Sequence, residues 1–329
     1  MDHKSSIPLT SSEIAYLWTN FMGDSMAECV LGMFLRHAED SDVKEMLALA
    51  LQLSKNHLDT ARAIFLEAEI PVPKGFTTED VNPEAPPLYS DTFYLYYIRN
   101  MTKGGLSSYG YALPNTYRAD IRKYMSEALE STIELYNRVT ETLLEKGLNV
   151  RSPVIPTPLE VDFAGKQSFL SGWFGPKRSL SFLEISHLHS NIETNVLGQA
   201  LIAGFAQTAK TKEIKEYFER GWNLSLKNIK VLSGILTKDK IIASGSVHLS
   251  PLNSQEPIFS EKLMMYHSGL ASITGVGNYG VCAAQSQRRD LIADYLRLAA
   301  EVGLYTEDGA NLSIKYGWLE KPPLSPENK

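Results

Sequence analysis

The side chains in this chain best suited to chemistry are histidines and carboxylates at helical spacing, and the chemistry they suit is metal ligation. With Ile185, Leu188, Ile192 and Val196 as the inward face of a helix, about 100° per residue puts His189 and Glu193 together on one flank. His267 falls on an apolar stripe with Leu263 and Leu270, and Asp294 borders the inward face of a later helix. These four are the candidate ligands for a divalent metal, with Fe, Mn or Zn as the ions that imidazole and carboxylate accept. Glu28 on the first helix and His57 at the border of the second form a smaller candidate pair. Each group also has a plain structural reading, a hydrogen-bonded core residue, because buried polar groups are normally paired.

Other motifs carry less. Gly275-x-Gly277-x-x-Gly280 matches the dinucleotide fingerprint in letters only, since that motif needs a preceding strand and here it falls inside a helical pattern. Its glycines are expected to let the helix kink or pack closely. A di-iron bundle needs two Glu-x-x-His motifs, and the chain offers Glu184-x-x-His187, where Glu184 already fits a capping role. Tyr94, Tyr96 and Tyr97 could line a small-molecule pocket, although aromatic residues at this spacing are mostly core. Neither a Ser-His-Asp nor a Cys-His arrangement is legible, and no phosphate loop is present. The chain therefore leans away from an enzyme, with no catalytic residue to name.

The elements that must position these residues come in two copies. Tyr109-Gly110 returns 170 residues later as Tyr279-Gly280, as do Ser90-Asp91 in Ser260-Glu261 and Arg118-x-Asp120 in Arg288-x-Asp290. Closer to the start the lag is 171, carrying Glu13-Ile14 to Glu184-Ile185, Leu17 to Leu188, Asn20 to Asn191 and Phe34 to Phe205. Capping boxes at Thr10-x-x-Glu13 and Ser181-x-x-Glu184 open the first helix of each copy. In the first copy, Ser41 or Asp42 should cap a second helix that Pro71 and Pro73 end. A third, Tyr-rich helix should start at Ser90-Asp91, break at Gly104-Gly105 and stop at Pro114, and a fourth should run from about Tyr117 to Lys146. The second copy should place helices near 181–209, 212–237, 260–284 and 287–302. Short turns make neighbouring helices antiparallel, and one long link between the second and third helices is the ferritin-like arrangement.

The expected organisation is all-α, with two tandem ferritin-like four-helix bundles at 1–151 and 181–329. Between them a 152–180 linker, with Phe163, Phe169, Trp173 and Phe174, should pack across both halves, and an extended tail should close the second. In 329 residues, 43 % apolar and 21 % charged, each half can bury a core. A net charge of −6 with scattered Arg and Lys gives no reason to expect nucleic acid. No run reaches the roughly 20 apolar residues of a membrane helix, and the polar start lacks a signal-peptide core. Cys29 and Cys282 occupy non-corresponding positions and suggest neither a disulfide framework nor a metal knuckle. The default location is cytoplasmic.

Lys166-Gln167-Ser168-Phe169-Leu170-x-Gly172-Trp173-Phe174, Gly277-Asn278-Tyr279-Gly280 and Gly317-Trp318-Leu319-Glu320-x-Pro322-Pro323 give the chain a family likeness over nearly its whole length. It resembles the domain-of-unknown-function 3231 family of spore-forming bacteria. That resemblance implies tandem ferritin-like bundles similar to spore-coat-type proteins and carries over no catalytic residue. The leading functional expectation is a non-enzymatic structural or spore- or stress-associated protein that self-associates. The alternatives are a metal-binding, redox-active bundle using the second-half cluster, or a small-molecule binder with an interhelical cavity.

Overall fold

The computed structural model describes residues 7–173, 177–242 and 249–325. Among them the chain forms eight α-helices and no strand beyond one isolated bridge, Val81 to Phe259. The helices are α1 (Ser11–His37), α2 (Ser41–Glu67), α3 (Asp91–Ala112), α4 (Ala119–Glu145), α5 (Phe182–Thr208), α6 (Lys212–Lys238), α7 (Glu261–Gln285) and α8 (Arg289–Lys315). The chain is all-α and built from duplicated helical bundles. No helix among the described residues is long and apolar enough to cross a membrane.

Two compact units emerge. The first holds the described residues up to Asn149 together with Leu252–His267 and the residues from Ser313 on; the second holds Val150–Pro251 and Ser268–Leu312. In the first unit Leu17, Phe21, Leu58, Phe65, Tyr109, Ile121 and Met125 bring α1 to α4 onto one core. Nearer the other end of α1, Phe34 is ringed by Tyr89, Phe93, Tyr94, Tyr97 and Phe259. In the second unit Ile185, Leu188, Leu232, Tyr279, Leu291, Tyr295 and Leu298 do the same for α5 to α8.

Both expected capping boxes form, Thr10 with Glu13 and Ser181 with Glu184. The two glutamates do more than cap. Glu13 is buried and also accepts from the backbone N–H groups of Tyr117 and Arg118, at 2.8 and 2.7 Å. Glu184 accepts from Gln287 and Arg288 at 3.2 and 3.1 Å, and from both terminal nitrogens of Arg178 at 2.8 Å. In each bundle one carboxylate therefore ties the start of the first helix to the start of the fourth. The repeated arginine completes the joint: Arg118 holds Asp120, and Arg288 holds Asp290 and Asp239. This joint accounts physically for the recurrence of Glu-Ile and Arg-x-Asp.

Several local expectations need correction. The cap of α2 is Asp40, which accepts from the N–H groups of Asp42 and Val43, rather than Ser41 or Asp42. That helix closes at Glu67, and Glu69 turns the chain with φ 53° before either proline is reached. Helix α3 runs unbroken through Gly104-Gly105, and at Gly105 it packs closely on α4, where an added Cβ would sit 3.2 Å from Thr132 Cγ2. Gly275, Gly277 and Gly280 instead face open space inside α7, so neither a dinucleotide turn nor close packing explains them. Helix α8 continues past the expected end at Val302 to Lys315, because Tyr305 and Gly309 extend its buried stripe. There Tyr305 stacks on Tyr217 with ring centres 4.2 Å apart, which the bare backbones of Gly221 and Gly309 permit.

The link from Val72 to Tyr89 is ordered by a single turn of 3-10 helix, Thr78–Asp80, and by pairing with residues 252–260 of the same unit. Glu320, in the C-terminal segment, accepts from the backbone N–H groups of Lys74 and Gly75 at 2.6 and 3.0 Å. In the 152–180 stretch, Phe163 and Trp173 are 87 % and 62 % exposed. Phe169 lies under the Arg178 guanidinium at 4.5 Å, and Phe174 falls outside the described residues.

Candidate functional site

Of the four ligands expected from the second half, three lie in the second unit and His267 in the first. His189 and Glu193 sit half-buried on α5, and Asp294 pairs with Arg297 at 3.0 Å on the partly exposed side of α8. His267 is counted with the first unit, where its Nε2 lies 3.2 Å from the Tyr97 hydroxyl; burial pushes its pKa down to about 4. Tyr97 and His267 are the same position of the two repeats, 170 residues apart. Among the described residues, no three His, Cys, Asp or Glu side chains gather as a metal ion would require.

In the first half His57 does meet a carboxylate, but the partner is Asp24, one turn before Glu28. Asp24 Oδ1 is 3.5 Å from His57 Nδ1, and both side chains are nearly closed off from solvent. Glu28 stays half-buried and adds its field to that of Asp80 in raising the Cys29 thiol, which burial raises most. Around Asp24 and His57 lies a polar layer to which each helix of the bundle contributes. Asp24 comes from α1, Ser54 and His57 from α2, Tyr109 from α3 and Tyr124 from α4. The Tyr109 hydroxyl is 3.2 Å from His57 Nδ1, and the imidazole stands edge-on to both tyrosine rings, with centroids 5.8 and 6.1 Å away.

Burial dominates the electrostatics of this layer. It raises the Asp24 pKa above the usual carboxylate range, although hydrogen bonds from His57 and Ser54 pull the other way. It raises Tyr109 and Tyr124 well above ordinary phenols, with the Asp24 charge adding to both. The Tyr124 hydroxyl approaches the Asn20 amide without closing a hydrogen bond, so a buried phenol is left without a partner. Asn20 itself donates to Met125 Sδ at 3.6 Å.

The second unit repeats this layer in neutral form. Asp24 and His57, moved on by the 171-residue lag, become Asn195 and Asn228, and Tyr109 moved on by 170 becomes Tyr279. Asn195 donates to the Tyr279 hydroxyl at 2.8 Å and accepts from Asn228 at 3.2 Å. Asn191, the counterpart of Asn20, donates to Cys282 Sγ at 3.2 Å. Burial raises Tyr279 to about 12 against the two asparagine hydrogen bonds. Tyr124 has no phenolic counterpart, since its position holds the outward Asp294. The sequence carried a signal for both layers, because Asn195 and Asn228 keep the lag that pairs Asn20 with Asn191.

Chemically, the first layer can hold a proton between carboxylate, imidazole and phenol, or offer those groups to a cation. The second can only hydrogen-bond. A family described as Protein of unknown function (DUF3231) matches residues 2–161 and again residues 168–329. Among curated proteins, none matches. A solved structure named "putative spore coat protein", from Bacillus halodurans C-125, is similar at 18 % identity, with a TM-score of 0.40. That similarity covers 48 % of this chain and 99 % of the other.

Proposed function

The chain belongs to the DUF3231 family, and within it we propose a non-enzymatic, structural role for two ferritin-like bundles. The observation that carries this reading is the neutral layer of the second unit. Asn195, Asn228 and Tyr279 keep the hydrogen-bonding positions of Asp24, His57 and Tyr109 while both ionisable partners of the phenol are gone. A layer retained without its carboxylate and imidazole serves packing and register, which satisfied buried polar networks specify.

The test is the Asn195→Leu, Asn228→Leu double variant, read by hydrogen exchange across α5 and α6. A structural layer loses its hydrogen bonds and leaves the Tyr279 hydroxyl without a partner, at a cost of about 1–3 kcal/mol, so exchange accelerates. A layer kept for a reaction or a ligand would be relieved by apolar side chains and gain stability. That gain would sink the structural reading.

The finer part of the proposal is a protein that self-associates and resides in the cytoplasm or the spore; the resemblance to spore-coat-type proteins supports the spore alone. Immunoblots of vegetative cells, sporulating cells and washed spores test it. Protein confined to vegetative cells would remove the spore association.

A further inference from the structure

We propose that Asp24, His57, Tyr109 and Tyr124 of the first unit form a binding site for a single ferric ion, with one carboxylate, one imidazole and two phenolate ligands. This goes beyond the structural reading, which rests on the second unit, and it places a metal where the sequence-derived second-half set does not.

Four observations lead there. The first is convergence, since α1 and α3 bring Asp24 and Tyr109 to the same nitrogen of His57 on α2, and α4 sets the Tyr124 ring against that imidazole. The second is spacing. Ligand atoms about 2.1 Å from a metal and roughly at right angles are about 3 Å apart. The His57 nitrogen lies 3.2 Å from the Tyr109 oxygen and 3.5 Å from the Asp24 oxygen. The third is the Tyr124 hydroxyl, which is buried without a hydrogen-bond partner, where native interiors satisfy nearly all such groups.

The fourth is charge. A trivalent ion with one carboxylate, two phenolates and a neutral imidazole sums to zero, which an apolar core tolerates; a divalent ion with the same ligands leaves a net negative charge. Oxygen anions are also the donors that hard cations select. Binding releases one proton from each tyrosine and leaves Asp24 as the carboxylate, with no electron transferred. The set differs from the carboxylate-rich pair of di-iron bundles, which uses no phenol. The second unit cannot match it, because Asn195 and Asn228 stand for Asp24 and His57 and Asp294 faces outward to Arg297. One ion per chain is the resulting stoichiometry.

The experiment is titration of the full chain with ferric nitrilotriacetate, followed by visible absorption and, after gel filtration, by elemental analysis. The expected result is a phenolate-to-iron charge-transfer band that saturates near one iron per chain. Tyr109→Phe and Tyr124→Phe each remove only a hydroxyl and should each weaken the band and lower retained iron at least tenfold. Tyr279→Phe, in the second unit, should leave both unchanged. Circular dichroism establishes that each variant is folded, and Asp24→Asn stands in for either phenylalanine variant that is not. Iron retained without a visible band, a band unchanged in both phenylalanine variants, or no retained iron in the wild-type protein overturns the proposal. Stoichiometric zinc or manganese in place of iron overturns the ferric assignment. None of these outcomes bears on the Asn195 and Asn228 test, so the two readings fail separately.

Discussion

Removing the charge of Glu184 should weaken the joint between α5 and α8 and flatten its response to acid. Burial alone would raise this carboxyl. The Arg178 guanidinium and the N–H groups of Ser181 and Arg288 outweigh burial and hold it at about 2, against an ordinary 4.5. The side chain is 1 % exposed, so solvent screens the interaction little. A depression of that size corresponds to roughly 3 kcal/mol of folding stability at neutral pH. Because the folded-state value is the lower one, this contribution is fully present above pH 4.5 and is lost as pH falls toward 2. Glu184→Gln keeps the shape but turns an amide NH2 toward donors, so Arg178 and either the Ser181 N–H or the Gln287 and Arg288 N–H groups lose an acceptor. We expect a loss of about 2–3 kcal/mol at pH 7. The assay is hydrogen exchange in peptides covering residues 178–190 and 285–292, at pH 7 and again near pH 3 with exchange times corrected for pH. The wild type should lose protection on acidification, and the variant should start lower and change less. A variant within about 0.5 kcal/mol of wild type at pH 7, or one with an unaltered acid response, would refute the reasoning.

Two further predictions concern packing. Gly221→Ala should lower the thermal midpoint of the second unit by an amount corresponding to about 1–3 kcal/mol, because the new Cβ would lie 2.7 Å from Tyr305 Cζ; a calorimetric scan with an unchanged or raised midpoint counts against the tight α6–α8 approach. Glu320→Ala should speed amide exchange at Lys74 and Gly75 at least several-fold, since its carboxylate is their acceptor; unchanged exchange would mean that the C-terminal segment does not hold that turn.

The first-half candidate pair shows where reading a sequence stops. Residues 24 and 28 are one turn apart on the same face of α1, so helical periodicity makes either a partner for His57. The axial stagger of α1 against α2 chooses Asp24, and stagger comes from side chains interlocking between helices rather than from either helix alone. Residues 294 and 295 make the same point in rotation. A turn of about 100° per residue leaves Asp294 at the surface with Arg297 and sends Tyr295 into the core. The second-half candidates show the same limit, because helical periodicity places each residue on its own helix and no pattern fixes how the helices face one another. The early end expected for α8 has a related cause, since Tyr305 and Gly309 read as part of a helix only once Tyr217 and Gly221 are seen opposite them.

By itself the sequence determined the duplication, the helical class, both capping boxes and the approximate positions of all eight helices. These are local properties, written in apolar spacing and in side chains that reach backbone groups three residues away. Only the tertiary structure decided that Glu13 and Glu184 also close the bundle ends, that His57 answers to Asp24, and that Asn195 and Asn228 repeat this pair without charge. Those contacts join helices distant in sequence, and their selection depends on helix rotation and stagger, which many residues set together and no single stretch encodes.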